Sequence, residues 1–204
     1  MTTPTTAALA SSDGRRERSA KTRAAIADAL LDLLGDGHLR PTAKEIAERA
    51  GVSVRTVYVH FDDLEDLFCV AVRQQYARVA PLLEPVTLDG SLHTRVVALV
   101  ERRIRLYARI GAVGLATRLQ APFSPMLARV VRDAHARSRA ELERVFAPEL
   151  DALTAAHRAT TLAVLDVLTG PETWQTLRNT DDLARDDAAA AVVAAILAQL
   201  AAAR

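Results

Sequence analysis

The stretch GVSVRTVYVHF, residues 51–61, combines apolar positions with side chains that can contact a nucleic acid. An arginine can donate parallel hydrogen bonds to the edge of a guanine, and a valine can contact the methyl group of a thymine. Arg55 and Val59 are therefore candidates for base contacts. Hydroxyl and imidazole groups can bond phosphate oxygens and so fix the position of a protein on DNA. The candidates for phosphate contacts are Thr42, Thr56, Tyr58 and His60.

Two short helices joined by a tight turn would present these side chains. The segment TAKE, from Thr42 to Glu45, is a capping box, in which hydroxyl and carboxylate each bond the backbone of the other residue. The small Ala47 permits a close crossing of the second helix, Gly51 permits a left-handed turn, and Ser53 can cap the second helix. One ordered set of residues is typical of a helix-turn-helix: Ile46, Ala47, Ala50, Gly51, Val52 and Val57.

On a helical wheel, the second helix has an apolar side and an opposite side that is free to contact DNA. The apolar side, which we expect to face the core, comprises Val54, Val57 and Phe61. The opposite side comprises Arg55, Thr56 and Val59, with Tyr58 and His60 on its two flanks. The alternative interpretation is an ordinary helical hairpin with a polar outer face.

A basic segment precedes the first predicted helix. Residues 14–23, GRRERSAKTR, hold several basic side chains against the single acid Glu17, whereas the whole chain has a net charge of only +1. Such a segment is either a solvated face or, beside a DNA-contacting element, an arm that binds phosphates. Its candidate contacts are Arg18 and Lys21, to which we add Lys44 from the capping box. Residues 1–14 are dominated by Thr, Ala, Ser and Pro, and we expect them to be disordered.

Helical periodicity continues along the chain, without a convincing pair of strands. We therefore predict an all-α fold of about nine helices. The later helices are expected over 91–110, from the cap Ser124 to about Phe146, over 150–169, and from about Asp181, with a break over 111–122. The predicted organisation is a disordered tail (1–14), a three-helix DNA-binding domain (15–64, motif 42–61) and a C-terminal helical domain for ligand binding and dimerisation (65–204).

The last predicted helix, AAAAVVAAILAQLAAA, is apolar nearly all round and must be buried on more than one side. Together with the broad apolar face of residues 150–169, it would supply a four-helix dimer interface. The alternative is burial within one subunit. A dimer would place two short recognition helices on the two halves of a palindrome.

The middle helices hold candidates for a ligand pocket. Arg103 lies on an apolar stripe and needs a partner, which is either an anionic ligand or, more commonly, an internal carboxylate. His157 lies in a similar apolar row, where a core histidine is the usual alternative. Further pocket candidates, each of which could instead be plain core, are Tyr107, Phe123, Met126 and Trp174.

At residues 18–70 the sequence resembles the TetR family of bacterial transcriptional regulators, through TAKEIAERAGVS, TVYVHF and the acidic helix start that follows. The resemblance implies an all-α homodimer, mostly a repressor that a small molecule releases from DNA. The chain departs from the family pattern at Arg55, Val59 and Leu64; Leu64 stands where a lysine usually contacts phosphate. The positions that match the family's DNA contacts are Thr42, Ser53, Arg55, Thr56, Tyr58 and His60, and Val54 completes our candidate set.

Two other classes of function stand as alternatives. One is a DNA-binding adaptor without a small-molecule ligand, whose C-terminal domain docks a protein partner. The other is a small all-α enzyme, against which stand the lack of metal-ligand spacing among the histidines and of any glycine-rich phosphate loop. We expect no cofactor and no metal. The only cysteine, Cys69, excludes an intrachain disulfide, and we expect it to be buried. Because no signal peptide or membrane span is evident, we expect a cytoplasmic protein.

Overall fold

The chain is described by a computed structural model over residues 6–84 and 89–203, with side chains described from Gly14 onward except that of Arg15. The fold is all-α, as predicted, and no strand occurs in these residues. The N-terminal helices are α1 (Thr6–Gly35), α2 (Ala43–Ala50), α3 (Val54–His60) and α4 (Leu64–Leu83). The later helices are α5 (Leu92–Gln120), α6 (Pro125–Val145), α7 (Ala147–Leu150), α8 (Ala155–Leu168), α9 (Pro171–Gln175) and α10 (Arg185–Ala202). A 3₁₀ turn, Ala121–Phe123, precedes α6, and a π-helical turn, Thr176–Thr180, follows α9.

The first of two compact units comprises Met1–Arg78 and Ala112–Leu127. Its core is formed by the inner faces of α1 to α4, because apolar residues recur there at helical spacing. The fully or almost fully buried side chains include Ile26, Leu34, Ile46, Val57, Phe61 and Leu67. This core holds α2 and α3 in place and leaves the outer side of α3 uncovered.

The second unit comprises Val79–Gly111 and Ala128–Arg204. Its core joins α5, α6, α8 and α10 through buried aliphatic residues and one phenylalanine, among them Val96, Leu99, Leu142, Phe146, Leu165 and Ile196. The predicted division into functional domains at residues 15–64 and 65–204 follows other boundaries than these units. It stays a prediction about function.

Several helix boundaries differ from those expected. α1 begins at Thr6, whereas a disordered tail was expected over 1–14; the run Ala7 to Ala10 has high helix propensity and continues α1 toward the N-terminus. Residues 1–5 lie outside the described residues. α5 continues to Gln120 without the break expected over 111–122, because buried Val113 and Ala116 anchor its last turns and outweigh the cost of Gly111.

The C-terminal boundaries also shift. α8 begins at Ala155 with Thr154 as its N-cap, since residues 147–150 form the separate short helix α7. α10 begins at Arg185 rather than near Asp181, because Asp182 adopts a positive φ of 51° that a helix does not permit. The acidic residues in the first turn of α10 are instead Asp186 and Asp187.

Candidate nucleic-acid interface

The capping box at the start of α2 forms as predicted. The backbone N–H of Glu45 donates to Thr42 Oγ1 at 3.3 Å, and the N–H of Thr42 donates to Glu45 Oε2 at 2.7 Å. The Thr42 hydroxyl also donates to the same carboxylate oxygen at 2.7 Å. These hydrogen bonds hold the pKa of Glu45 below its ordinary value, first through the Thr42 side chain and then through its backbone. Thr42 therefore orders the helix start while its hydroxyl stays at the exposed surface.

The turn between α2 and α3 also has the predicted conformation. Gly51 has φ +67° and ψ 33°, the left-handed region in which a glycine is favoured. Ser53 then caps α3 by accepting from the N–H of Thr56 at 3.0 Å. The two hydroxyls of Ser53 and Thr56 lie 2.8 Å apart and bond each other. The turn and the cap thus determine where α3 begins through contacts within a few residues.

The outer side of α3 is uncovered in the first unit. Val59 is 71% exposed and Tyr58 52% exposed, while Val57 is fully buried. Arg55 is exposed and forms no hydrogen bond or ion pair with any described residue. Thr56 and His60, one helical turn apart on the same side of α3, are half-buried. We call the surface made by Arg55, Thr56, Tyr58, Val59 and His60 the α3 face.

Val54 differs from its predicted position on the apolar side. It is 39% exposed, because it is the first residue of α3 and projects beyond the core that buries Val57 and Phe61. Its exposure places it beside the α3 face rather than in the core, and it stays a candidate for DNA contact.

Arg23 has a role that the sequence did not suggest. Its guanidinium donates from Nη1 to the carbonyl oxygen of His60, the last residue of α3, and lies 3.3 Å from Asp66 Oδ2 in the first turn of α4. The same group stacks over the Phe61 ring, 4.1 Å from its centroid. A side chain counted with the basic arm therefore fastens the C-terminal end of α3 to α1 and α4.

The other basic candidates are exposed, and each has an intrachain contact. Arg18 Nε donates to the carbonyl of Gly14 at 3.0 Å, Lys21 lies 2.8 Å from Glu17, and Lys44 lies 3.9 Å from Glu48. Exposed pairs of this kind are weak and can exchange for phosphate. Leu64, where the family pattern has a lysine, is half-buried at the start of α4 and offers no charge.

The predicted pocket residues do not form one site. Arg103, Tyr107 and Trp174 do meet in the second unit, around a cavity of about 20 Å³, which is the size of one water molecule. Arg103 is buried, and its partner is an internal carboxylate: Nη2 lies 2.8 Å from Glu141 Oε2. The Tyr107 hydroxyl donates to the carbonyl of Thr169 at 2.6 Å.

The remaining three pocket candidates lie elsewhere. Phe123 and Met126 belong to the first unit, where the ring of Phe123 is 76% exposed. His157 is exposed, because α8 begins at Ala155 and its buried stretch starts only with Thr161. The expectation of a core or ligand-contacting histidine is therefore not met in the single chain.

Cys69 is buried, as expected, and burial raises the pKa of its thiol above the ordinary value. A buried neutral thiol is unreactive, so this residue is a small apolar part of the core. Within the described residues no group of histidine, cysteine and acidic side chains could hold a metal ion. The described helices also include none that is long and apolar enough to cross a membrane.

Comparisons with known proteins agree with this architecture. Residues 26–69 match the family model described as bacterial regulatory proteins, tetR family. A crystal structure of a transcriptional regulator from Rhodococcus sp. Rha1 is similar with a TM-score of 0.70 and 22% identity, covering 88% of this chain and 96% of that one. A TetR transcription regulator from Haloarcula marismortui is similar with a TM-score of 0.66 and 17% identity, covering 90% and 98%. Among curated protein sequences none matches significantly.

The two structural similarities concern the fold of nearly the whole chain, whereas the family model covers the segment that contains α2, the turn at Gly51 and α3. The segment that matches by sequence is therefore the segment that presents the α3 face. Residues 26–69 thus match the tetR family of bacterial regulatory proteins by sequence, and nearly the whole chain shares its fold with two solved transcriptional regulators.

Proposed function

We propose that this regulator is a homodimer that binds a palindromic operator through its two α3 faces and represses transcription until a small molecule releases it. The observation that carries the proposal is the α3 face itself. Arg55 has no partner among the described residues, and Val59 is largely exposed although it is apolar. Exposed groups of this kind on a rigidly capped helix are what contact with the major groove requires.

The support for a dimer comes from the outer sides of α8 and α10. Val167 is 68% exposed although it is apolar, and it continues a row of exposed small residues on α8: Ala156, Ala159, Thr160 and Ala163. α10 carries a similar exposed row: Ala190, Ala194, Ala198 and Ala201. The inner sides of both helices are buried within the subunit, as the alternative expectation had it. The outer rows are free for the same helices of a second copy.

The proposal is tested by selecting operator sites from a randomised duplex library and titrating them by fluorescence anisotropy at two salt concentrations. Arg55→Ala should cost about 1–3 kcal/mol of binding free energy and relax the base preference at one position of each half-site. Tyr58→Ala should weaken all sequences alike if Tyr58 contacts only phosphate. Sedimentation of the complex should give two chains for each palindromic duplex.

The matched control is Arg132→Ala, which removes an exposed arginine of the second unit that has no partner among the described residues. It should bind the selected sites like the wild type. Weak binding that neither Arg55→Ala nor Tyr58→Ala changes would show that the α3 face does not contact DNA, and the proposal would then be wrong.

A further inference from the structure

A cavity of about 280 Å³ lies within the first unit, next to α2. Its apolar walls come from Leu30 of α1, Ile46 of α2, Leu64 and Phe68 of α4, and Leu127 of α6. Its volume approaches that of small-molecule sites in proteins, which begin at roughly 300 Å³. It is far larger than the cavity around Arg103, and it lies in the unit that carries the α3 face.

The polar groups around this cavity differ in what they have left to bond. Arg40 and Gln120 line it, and neither forms a hydrogen bond or ion pair with any described residue. Glu65 also lines the cavity, and its Oε1 accepts from the Ser124 hydroxyl at 2.5 Å. The side chains without a partner are therefore one cation, Arg40, and one amide, Gln120, which can both donate and accept. The chemistry that fits is an anionic group joined to an apolar body.

The bond between Glu65 and Ser124 connects this cavity to the DNA-binding helices. Ser124 is buried and also caps α6 by accepting from the N–H of Leu127 at 3.3 Å. Glu65 lies in the first turn of α4, next to Asp66, which holds Arg23 at the end of α3. A ligand in the cavity contacts both sides of this bond and Ile46 of α2. A change at Glu65 is one residue away from the contact that fastens α3.

We propose that this cavity is the effector site of the regulator, and that its ligand is a small apolar carboxylic acid whose carboxylate is bound by Arg40. That the ligand regulates DNA binding rests on the proposed function. The chemical class of the ligand is argued from the residues that line the cavity. The carboxylate bonds Arg40 and Gln120, and the apolar body packs on Ile46, Phe68 and Leu127. Phe123 forms the exposed rim over which the ligand enters.

The test uses the full-length protein without DNA and 2-naphthoate as the probe, followed by isothermal titration calorimetry. The neutral 2-naphthamide is the matched ligand control. We expect saturable binding of one naphthoate per chain and at least roughly tenfold weaker binding of the amide, since a hydrogen-bonded charge pair is absent from its complex. Arg40→Gln should weaken naphthoate roughly tenfold and leave the melting temperature unchanged, because this side chain has no partner to lose. Phe123→Ala should weaken both ligands several-fold.

The variant control is Arg132→Gln, an exposed arginine of the second unit, which should bind naphthoate like the wild type. Amide chemical shifts of the wild type should change on binding at Ile46, at Glu65 and Ser124, and along α3. Absence of saturable naphthoate binding, equal affinity for the amide, or binding that Arg40→Gln and Phe123→Ala leave unchanged would each overturn the assignment. So would shifts that leave α2 to α4 untouched.

These measurements contain no DNA, so their failure is distinct from failure of the proposed function. Operator binding is tested separately by Arg55→Ala and Tyr58→Ala. A chain that binds its operator but not naphthoate at this cavity has the proposed function without the proposed effector site.

Discussion

Two buried arginines of the second unit and an exposed arginine of the first unit have opposite environments. In the second unit Arg95 and Arg103 are each only 8% exposed, and each is paired with a carboxylate. Arg95 Nη2 lies 2.5 Å from Glu149 Oε1, its Nη1 lies 3.0 Å from Oε2, and Nη1 also donates to the carbonyl of Val145. In the first unit Arg55 is exposed on α3 and pairs with no described residue. The same type of side chain is part of the internal structure at Arg95 and Arg103, and at Arg55 it is a donor without a partner.

The difference follows from the cost of burying charge. Removing a guanidinium from water costs free energy unless it pairs with a carboxylate or with carbonyl oxygens. A buried arginine in a stable fold is therefore paired within the protein. An exposed arginine has no desolvation cost and can remain unpaired until it binds a ligand. Arg103, a candidate for ligand contact by sequence, is paired with Glu141, whereas Arg55 has no partner among the described residues. Burial therefore separates the arginines that hold the chain together from those free to recognise another molecule.

The largest effect on stability is expected when a buried arginine loses its carboxylate partner. Glu149→Ala removes the carboxylate from Arg95 and should lower the free energy of unfolding by about 3–5 kcal/mol, measured by urea denaturation at pH 7. Asp151→Ala is the matched control, since its pair with Arg158 lies at the surface, and it should cost less than about 1 kcal/mol.

The double variant Arg95→Leu, Glu149→Leu should recover most of the stability that Glu149→Ala removes, because it eliminates both charges at once. Equal destabilisation by Glu149→Ala and Asp151→Ala would mean that the burial of Arg95 does not matter, and the distinction between buried and exposed arginines would be wrong.

Arg23 sharpens the comparison, because it belongs to the DNA-binding unit yet is paired and half-buried. Arg23→Ala should destabilise the fold by only about 1 kcal/mol, since its contact with Asp66 is partly exposed. We expect it also to weaken operator binding roughly fivefold, because the end of α3 is no longer held through the His60 carbonyl and the Phe61 ring.

The salt dependence of binding separates positioning from direct contact. If Arg23 binds a phosphate itself, Arg23→Ala should reduce the slope of log affinity against log salt by about one, whereas a purely positioning role leaves the slope unchanged. Arg23→Lys keeps the charge but not the planar fork, so it should weaken binding like Arg23→Ala. Full binding by Arg23→Lys would show that only the charge matters, and the positioning role would be wrong.

The features that depend on residues close in sequence could be predicted, whereas those that depend on contacts between different helices could not. The capping box at Thr42, the left-handed Gly51 and the cap Ser53 depend on neighbours within a few residues, and all were predicted. The partners of Arg23 and Arg103 lie on other helices, so a single sequence held no sign of Asp66 or Glu141 as the group each would meet.

The same limit explains the boundaries that were missed. The continuation of α5 through Gly111 depends on the burial of Val113 and Ala116, and tertiary packing outweighs the local preference of a glycine. The six pocket candidates were chosen by type and spacing on separate helices. The folded chain shows that Arg103, Tyr107 and Trp174 line a cavity that is only large enough for one water molecule. Phe123 lines the other, larger cavity.

The smallest effect is expected for the capping box of Thr42 and Glu45, whose side chains are hydrogen-bonded to each other at the surface. Thr42→Ala removes the hydroxyl that caps α2 and should cost about 1 kcal/mol of stability at pH 7, measured by urea denaturation. Part of that contribution depends on the charge of Glu45, whose pKa the Thr42 hydrogen bonds hold below its ordinary value of 4.5. A lowered folded-state pKa gives stability that is full above the unfolded value and is lost as pH falls through the folded value.

The stability gap between wild type and Thr42→Ala should therefore narrow as the pH falls below 4.5. The Glu45 carboxyl, followed by carbon NMR, should titrate at a higher pH in Thr42→Ala than in the wild type. Lys44→Ala, which leaves the capping box intact, should leave the titration of Glu45 nearly unchanged. A gap that stays constant down to about pH 3 would show that the box acts through the backbone cap alone. The start of α2 would then be stabilised without any contribution from the charge of Glu45, in contrast to the buried ion pairs of the second unit.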